Sequence, residues 1–238
     1  MQLLHNLYQV GGDMQGITWA GVDAGYEDGN SYVLETPDGL ILFDCGCGDT
    51  LDQIFDTMVY WNLEPKDIRR CFLTHAHIDH AGGAHKLKAL GIPLYAHANT
   101  AEAVSVGDER CCGFLYHKTF QVCEVDHVLT DGDVVEVCGV SIEVMHVPGH
   151  SMGCTAYLFD HEDRRVVVSG DLIGTLLAGD FGWSGSIDFD RDVYLQSLQK
   201  FAKVDSDMML PGHGMVYCHE PRRRVEQVLN SALKEWRD

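Results

Sequence analysis

Four side chains able to hold a metal ion fall within six residues in Thr74-His75-Ala76-His77-Ile78-Asp79-His80-Ala81-Gly82-Gly83, directly after an apolar run. In an extended segment alternate residues share a face, so His75 and His77 can converge on one ion. Asp79 and His80, at the turn into a helix, are free to face a second. Three further apolar runs end alike. Ile142 to Val147 leads through Pro148-Gly149 to His150, Val166 to Ser169 through Gly170 to Asp171, and Met208 to Leu210 through Pro211-Gly212 to His213. Each strand stops at glycine, which permits a sharp turn and a close backbone approach, and delivers one ligand-type side chain. Strand ends converging on one rim are how layered α/β folds place their chemistry. Imidazole and carboxylate suit zinc and also iron or manganese. A metal ion can bring the pKa of bound water from 15.7 down to about 7, so the chemistry these residues predict is hydrolysis.

The elements that must position these groups read as strands in hairpins with helices between them. Ser31 to Thr36, a Pro37-Asp38-Gly39 turn and Leu40 to Asp44 form a first hairpin. Pro-Asp-Gly supplies the backbone angles of a tight reversal. Residues 50–62 carry apolar positions at helical spacing: Leu51, Ile54, Phe55, Met58 and Val59. Arg70 to Thr74 reads as a buried strand, 81–90 as a helix and Leu94 to His97 as a strand. Val134 to Cys138 pairs with Val140 to Val147, and Thr155 to Asp160 with Arg165 to Ser169. A helix over 191–203, a strand from Asp207 to Leu210 and a helix over 220–236 complete the chain. This mixture predicts a four-layer αββα sandwich, two mixed β-sheets face to face with helices outside, as a single domain over 1–238. The Gly-rich segments 11–30, 105–123 and 174–190 are candidate pocket walls.

The formal net charge is −19, from 36 acidic and 17 basic residues. Such a surface disfavours nucleic acid, whose binding rests on Lys and Arg, and anionic membranes for the same reason. The one dense basic cluster, Arg222-Arg223-Arg224, reads as a solvated helix face. No stretch approaches the ~20 apolar residues of a membrane span and no signal peptide is visible, so the expectation is a cytoplasmic protein with a small-molecule substrate. A homodimer is left open. The nine cysteines read as reduced thiols packing as small hydrophobes, with Cys154 and Cys218 as candidates for a redox-sensitive role.

The HxHxDH run at 75–80, Pro148-Gly149-His150, Gly170-Asp171 and Pro211-Gly212-His213-Gly214 occur in the order in which the metallo-β-lactamase superfamily carries them, and the sequence resembles that family from about residue 30 to 213. The resemblance implies a first metal held by His75, His77 and His150. It implies a second held by Asp79, His80 and His213, with Asp171 bridging the two, and Asp44 supporting the site from behind. Three histidines leave a fourth position for water, a catalytic arrangement. The implied reaction is hydrolysis by a metal-bridging hydroxide, with two divalent ions, zinc first and iron or manganese as alternatives. Asp79, beside the nucleophile, is the candidate proton relay.

True metallo-β-lactamases of the family usually place Cys or Ser where this chain has Asp171; the bridging aspartate looks like the glyoxalase II-type thioesterases, the lactonases and the phosphodiesterases. Only about 25 residues follow His213, so the C-terminal substrate region of glyoxalase II is missing or reduced. No tyrosine follows Asp171 closely, which weakens a lactonase reading. A small thioester or carboxylic ester is the preferred substrate, with lactone and phosphodiester behind. The alternative from another class is a mononuclear-iron persulfide dioxygenase. Trp19, Tyr26, Tyr116, Phe181, Trp183 and His117 are candidate pocket residues.

Overall fold

A strand covered on both faces has no polar alternation, and Leu40-Ile41-Leu42-Phe43 shows the consequence. In the computed structural model, which describes residues 1–12, 28–174 and 180–236, Leu40 and Leu42 pack toward helices while Ile41 and Phe43 pack toward a second sheet. Strands β1 (Gln2–Leu4), β2 (Leu7–Gly11), β3 (Ser31–Thr36), β4 (Gly39–Phe43), β5 (Ile68–Phe72), β6 (Leu94–His97) and β7 (His127–Leu129) form one sheet in that spatial order. The first three pairings are antiparallel and the last three parallel. The second sheet runs β12 (Met208–Pro211), β11 (Arg164–Gly170), β10 (Thr155–His161), β9 (Val140–His146), β8 (Val134–Val137). Among the described residues its one parallel pair is β11–β12. Helices α1 (Leu51–Tyr60), α2 (Ile78–Ala81), α3 (Ala84–Ala89) and α4 (Ala98–Val106) cover the first sheet. Helices α5 (Arg191–Phe201) and α6 (Pro221–Glu235) cover the second. This is the expected αββα sandwich.

The middle layer is aromatic. Phe43 stacks between Phe72, 5.7 Å away, and Phe159, 5.5 Å away, burying large apolar area between the sheets. At one end the sheets join directly, where the Thr155 N–H donates to the Thr74 carbonyl at 2.9 Å. That seam lies at the start of the HxHxDH run.

Several elements differ from the sequence reading. The strand placed over 70–74 ends at Phe72, freeing Thr74 to cross to the other sheet. The helix placed over 81–90 is two helices broken at Gly82-Gly83. A Cβ on Gly82 would stand 2.5 Å from the Cys47 carbonyl oxygen, and one on Gly83 2.3 Å from that of Cys45, so the 45–48 loop occupies the space a continuous helix surface needs. Strands β1, β2 and β7 and helix α4 were not anticipated; α4 (Ala-Asn-Thr-Ala-Glu-Ala-Val-Ser-Val) carries no clean apolar period. Arg224 departs from the solvated face assigned to it. Its side chain is buried and its Nη1 lies 2.7 Å from Asp180 Oδ1, tying α6 to the segment that follows Asp171. Among the described residues no helix is long and apolar enough to cross a membrane.

Candidate metal centre

The chain brings all seven predicted ligands together at the ends of β5, β9, β11 and β12. Three groups of donor atoms fall within 4.8 Å of one another: His75, His77 and His150; His75, His80 and Asp171; Asp79, His80 and His213. His150 Nε2 lies 3.1 Å from His77 Nδ1, and His80 Nε2 lies 3.2 Å from His213 Nε2. Asp171 sits between the sets. Its Oδ2 is 3.3 Å from His150 Nε2 and 3.4 Å from His213 Nε2, while Oδ1 is 3.4 Å from His80 Nε2. Asp79 Oδ2 lies 3.1 Å from His213 Nε2. Six of the seven are buried; the His213 side chain, 34% exposed, forms the mouth.

The donor set fits divalent cations. Buried polar atoms almost always find hydrogen-bond partners, yet His75 Nε2 and Asp171 Oδ1 are buried here without one. Both belong to the three donor groups. Close approach is enforced by glycine: a Cβ on Gly212 would stand 2.0 Å from Asp171 Oδ1, and one on Gly29 2.3 Å from the His80 ring.

The outward nitrogens of the histidines are held too, which fixes ring orientation. Thr74 Oγ1 lies 3.0 Å from His75 Nδ1, Ser186 Oγ 3.3 Å from His77 Nε2, and the Trp183 carbonyl 2.9 Å from His150 Nδ1. Asp44 does the most. Its Oδ1 accepts the Thr74 N–H at 2.7 Å, and its Oδ2 accepts the Thr74 hydroxyl at 2.7 Å and faces His80 Nδ1 at 2.9 Å. It does so from a left-handed backbone, φ 58°, a conformation uncommon in non-glycine residues and one that aspartate tolerates better than most.

Buried hydroxyls hold the ligand turns from beneath, and sequence reasoning missed them because they look like core residues. Tyr157 donates to the Leu73 carbonyl ahead of His75, and Tyr32 to the Pro211 carbonyl ahead of His213, both at 2.7 Å. Ser197 donates to the Pro148 carbonyl ahead of His150 at 2.6 Å. Tyr194 reaches the carbonyls of Asp171 at 3.0 Å and Leu172 at 2.7 Å. Asn30 adds a bond of 3.0 Å to Pro211.

Electrostatically the two sets differ. Burial, followed by neighbouring histidines, pushes His75 well below the usual imidazole range and His77 down to about 3. Burial also lowers His150. These rings are neutral, the form that ligates metal. In the other set burial is outweighed by carboxylates. Asp171 and Asp79 push His213 up to about 10 and raise His80 strongly. The same attraction overcomes burial at Asp171 and holds Asp79 down at about 2. Buried carboxylates kept ionised in this way call for positive charge beside them.

The remaining candidates separate. Trp183 stands over the site with its ring 6.5 Å from that of His77. Tyr116 is half-buried, its hydroxyl raised by burial and by the adjoining Asp79 carboxylate. Phe181 packs with the outer core, 4.5 Å from Trp236. His117 is exposed and joins none of the three donor groups. Trp19 and Tyr26 lie outside the described residues. Cys154 is buried with its thiol pushed up to about 12 by burial, which disfavours the thiolate; Cys218 is exposed.

Comparison with known proteins points the same way. The family model described as the metallo-beta-lactamase superfamily matches residues 24–213. A protein of uncharacterised function from Mycobacterium tuberculosis is 30% identical over 82% of this chain and 89% of its own length. A hydroxyacylglutathione hydrolase of Ectopseudomonas mendocina is 34% identical over 62% of this chain and 46% of its own length. An atrochrysone carboxyl ACP thioesterase of Aspergillus fumigatus is 27% identical over 84% of this chain and 55% of its own. Among solved structures, a metallo-beta-lactamase from Cronobacter sakazakii superposes with a TM-score of 0.78 at 21% identity, covering 99% of this chain and 96% of its own. A class B3 di-zinc metallo-beta-lactamase from an Alaskan soil metagenome superposes with a TM-score of 0.75 at 21% identity, covering 97% and 90%. At these identities the structural likeness speaks for the fold.

Proposed function

Because the chain belongs to the metallo-beta-lactamase superfamily, we propose that it is a metal-dependent hydrolase of small thioesters or carboxylic esters, with lactones and phosphodiesters as lesser substrates. The observation that carries this reading is the convergence of two donor sets, His75, His77 and His150 and Asp79, His80 and His213, with Asp171 Oδ2 within 3.4 Å of both His150 and His213. His75, His77 and His150 would hold one divalent ion, and Asp79, His80 and His213 the other, with Asp171 between; zinc is preferred over iron or manganese. Such ions supply water ionised near neutral pH and polarisation of the substrate carbonyl. Asp79, whose Oδ2 is 3.1 Å from His213 Nε2, would take the proton of the attacking water and return it to the leaving thiol or alcohol. Asp44, facing His80 Nδ1, and Thr74, facing His75 Nδ1, would orient these two rings.

The thioester preference draws on relatives whose names describe a glutathione thioester hydrolase and an acyl-carrier thioesterase. Their similarity to this chain spans only about half of their lengths, so it informs the reaction class and not the carrier. The net charge of −19 supports a small substrate over nucleic acid or an anionic membrane, with the whole chain acting as one domain in the cytoplasm. A panel of thioester, ester, lactone, phosphodiester and β-lactam substrates, run with zinc-, manganese- and iron-loaded protein, tests the reading. Turnover of thioester above the others is expected. Oxygen uptake with a persulfide and no hydrolysis would reassign the centre to sulfur oxidation.

A further inference from the structure

On the His77 side of the centre the described residues carry exposed apolar side chains, on a chain whose net charge is −19. Two segments meet there: the tight turn Gly113–Tyr116 after α4 and the segment 180–190 before α5. Phe114 and Trp183 leave 53% and 43% of their surface in solvent. Their ring centroids are 6.4 Å apart with planes tilted by 52°, and the Trp183 ring lies 6.5 Å from that of His77. Leu115 and Ile187, on the same two segments, are also exposed. Exposed apolar side chains scattered singly are ordinary, but here two aromatic rings adjoin one another and one of them, Trp183, adjoins a candidate metal ligand.

The rings stand on a braced base. Ser186 Oγ donates to Asp188 Oδ1 at 2.5 Å, and it lies 3.8 Å from Cys112 Sγ on the opposing segment. Asp188 Oδ2 accepts the Met152 N–H at 2.8 Å. A Cβ on Gly185 would stand 2.1 Å from the Trp183 ring, so the indole lies flat on its own backbone. A surface formed in advance binds without an ordering penalty. The nearby cations are engaged elsewhere: Arg110 pairs with Asp108 and Glu102, and Lys118 with Asp49. A charged acyl group would lose water here and meet two hydrocarbon rings.

We propose that Phe114 and Trp183 form the acyl-recognition surface of this centre and select an apolar acyl group, aromatic or medium-chain aliphatic. The inference rests on the ester and thioester reading and specifies which half of the substrate is recognised. With the carbonyl at the donor cluster, the acyl chain runs past His77 and lies across the two rings. Each methylene so covered favours binding by about fourfold.

The experiment has two arms on zinc-loaded protein. The first measures kcat/KM for N-acetylcysteamine thioesters from acetyl to octanoyl, and for the phenylacetyl thioester. The wild-type rate constant should climb with chain length. In Phe114→Ala the octanoyl-to-acetyl ratio should fall by about tenfold, with Phe114→Leu between. The second arm titrates octanoate, phenylacetate and acetate into the same proteins by calorimetry and needs no turnover. Octanoate should bind more tightly than acetate, with the difference reduced in Phe114→Ala. Thioester hydrolysis with a flat chain-length profile overturns the acyl surface and leaves the hydrolase reading standing. Phe114-dependent octanoate binding without hydrolysis of any ester or thioester supports the surface and overturns the hydrolase. A Phe114→Ala protein that changes only its sedimentation coefficient would assign the rings to a second copy of the chain and overturn the proposal.

Discussion

Among the described residues two clusters of histidines invite comparison, and one of them has its donor atoms grouped as a metal ion would require. At the metal centre the rings converge on shared points, carboxylates stand among them, and an outside partner orients His75, His77, His80 and His150. His97 and His146, near Met152, instead stack face to face, with centroids 3.7 Å apart and planes within 10°. In that pair His97 Nδ1 accepts the Asn99 N–H, and His146 Nε2 meets the Met152 carbonyl. No carboxylate joins them in a donor group among the described residues. Proximity of imidazoles is therefore a poor guide to a metal. The direction of the nitrogens, and the charge placed among them, decide.

That contrast can be broken most directly by removing one ring from each group. His77→Ala should lower bound zinc from about two ions per chain to about one or fewer and cut hydrolysis by at least ~1,000-fold. His146→Ala should leave zinc content unchanged, and elemental analysis of dialysed protein reads both. Asp44→Asn acts a step further out. It removes the charge facing His80 Nδ1, and zinc affinity in a competition titration should fall by about 10- to 100-fold with the fold intact.

A smaller effect is expected beneath the site. Tyr194→Phe leaves the Leu172 carbonyl and the Gly182 N–H without their phenolic partner. Stability in urea should fall by about 1–3 kcal/mol, with bound zinc largely retained.

The smallest effect belongs to the stacked pair. Burial and the adjacent His146 hold His97 down at about 4. Above about pH 6.5, the ordinary histidine value, neither the folded nor the unfolded chain is protonated there, and the residue adds no pH dependence. As the pH falls from 6.5 towards 4 the unfolded chain takes up a proton that the folded chain refuses, so stability drops through that window. His97 is half-exposed, which keeps the difference small. Metal-free wild type should lose more melting temperature between pH 7 and 4.5 than His97→Gln, by on the order of 1 °C. An identical loss in both would remove His97 from the account.

What was legible in the sequence was whatever repeated a rule several times. Each of the four ligand-bearing turns follows an apolar strand, and glycine precedes His150, Asp171 and His213, so the centre and the strands that end at it stand out together. The sandwich followed from hairpins separated by helical spacings. The parts that did not show lack such repetition. β1 is three residues long, and α4 mixes Ala, Ser, Thr and Val without a clear face. Tyr32, Tyr157 and Tyr194 read as core aromatics, which they are; only coordinates reveal that each spends its hydroxyl on a carbonyl beside a ligand. Ser186 and Phe114 sit in irregular segments where no periodicity links residues distant in sequence. Arg224 resembled its exposed neighbours because a run of arginines does not disclose which one turns inward to Asp180.

The hydroxyls beneath the ligand turns bear on how such a protein can change. Tyr32, Tyr157, Tyr194 and Ser197 reach up from the buried interior, so the geometry of the cation floor is inherited from the packing of the sandwich. The segments carrying Phe114 and Trp183 rest on that floor without defining most of it. Replacing the Gly113–Tyr116 turn wholesale should therefore redirect which molecules enter while the ions keep their places. One rigid base can in this way serve a succession of different rims.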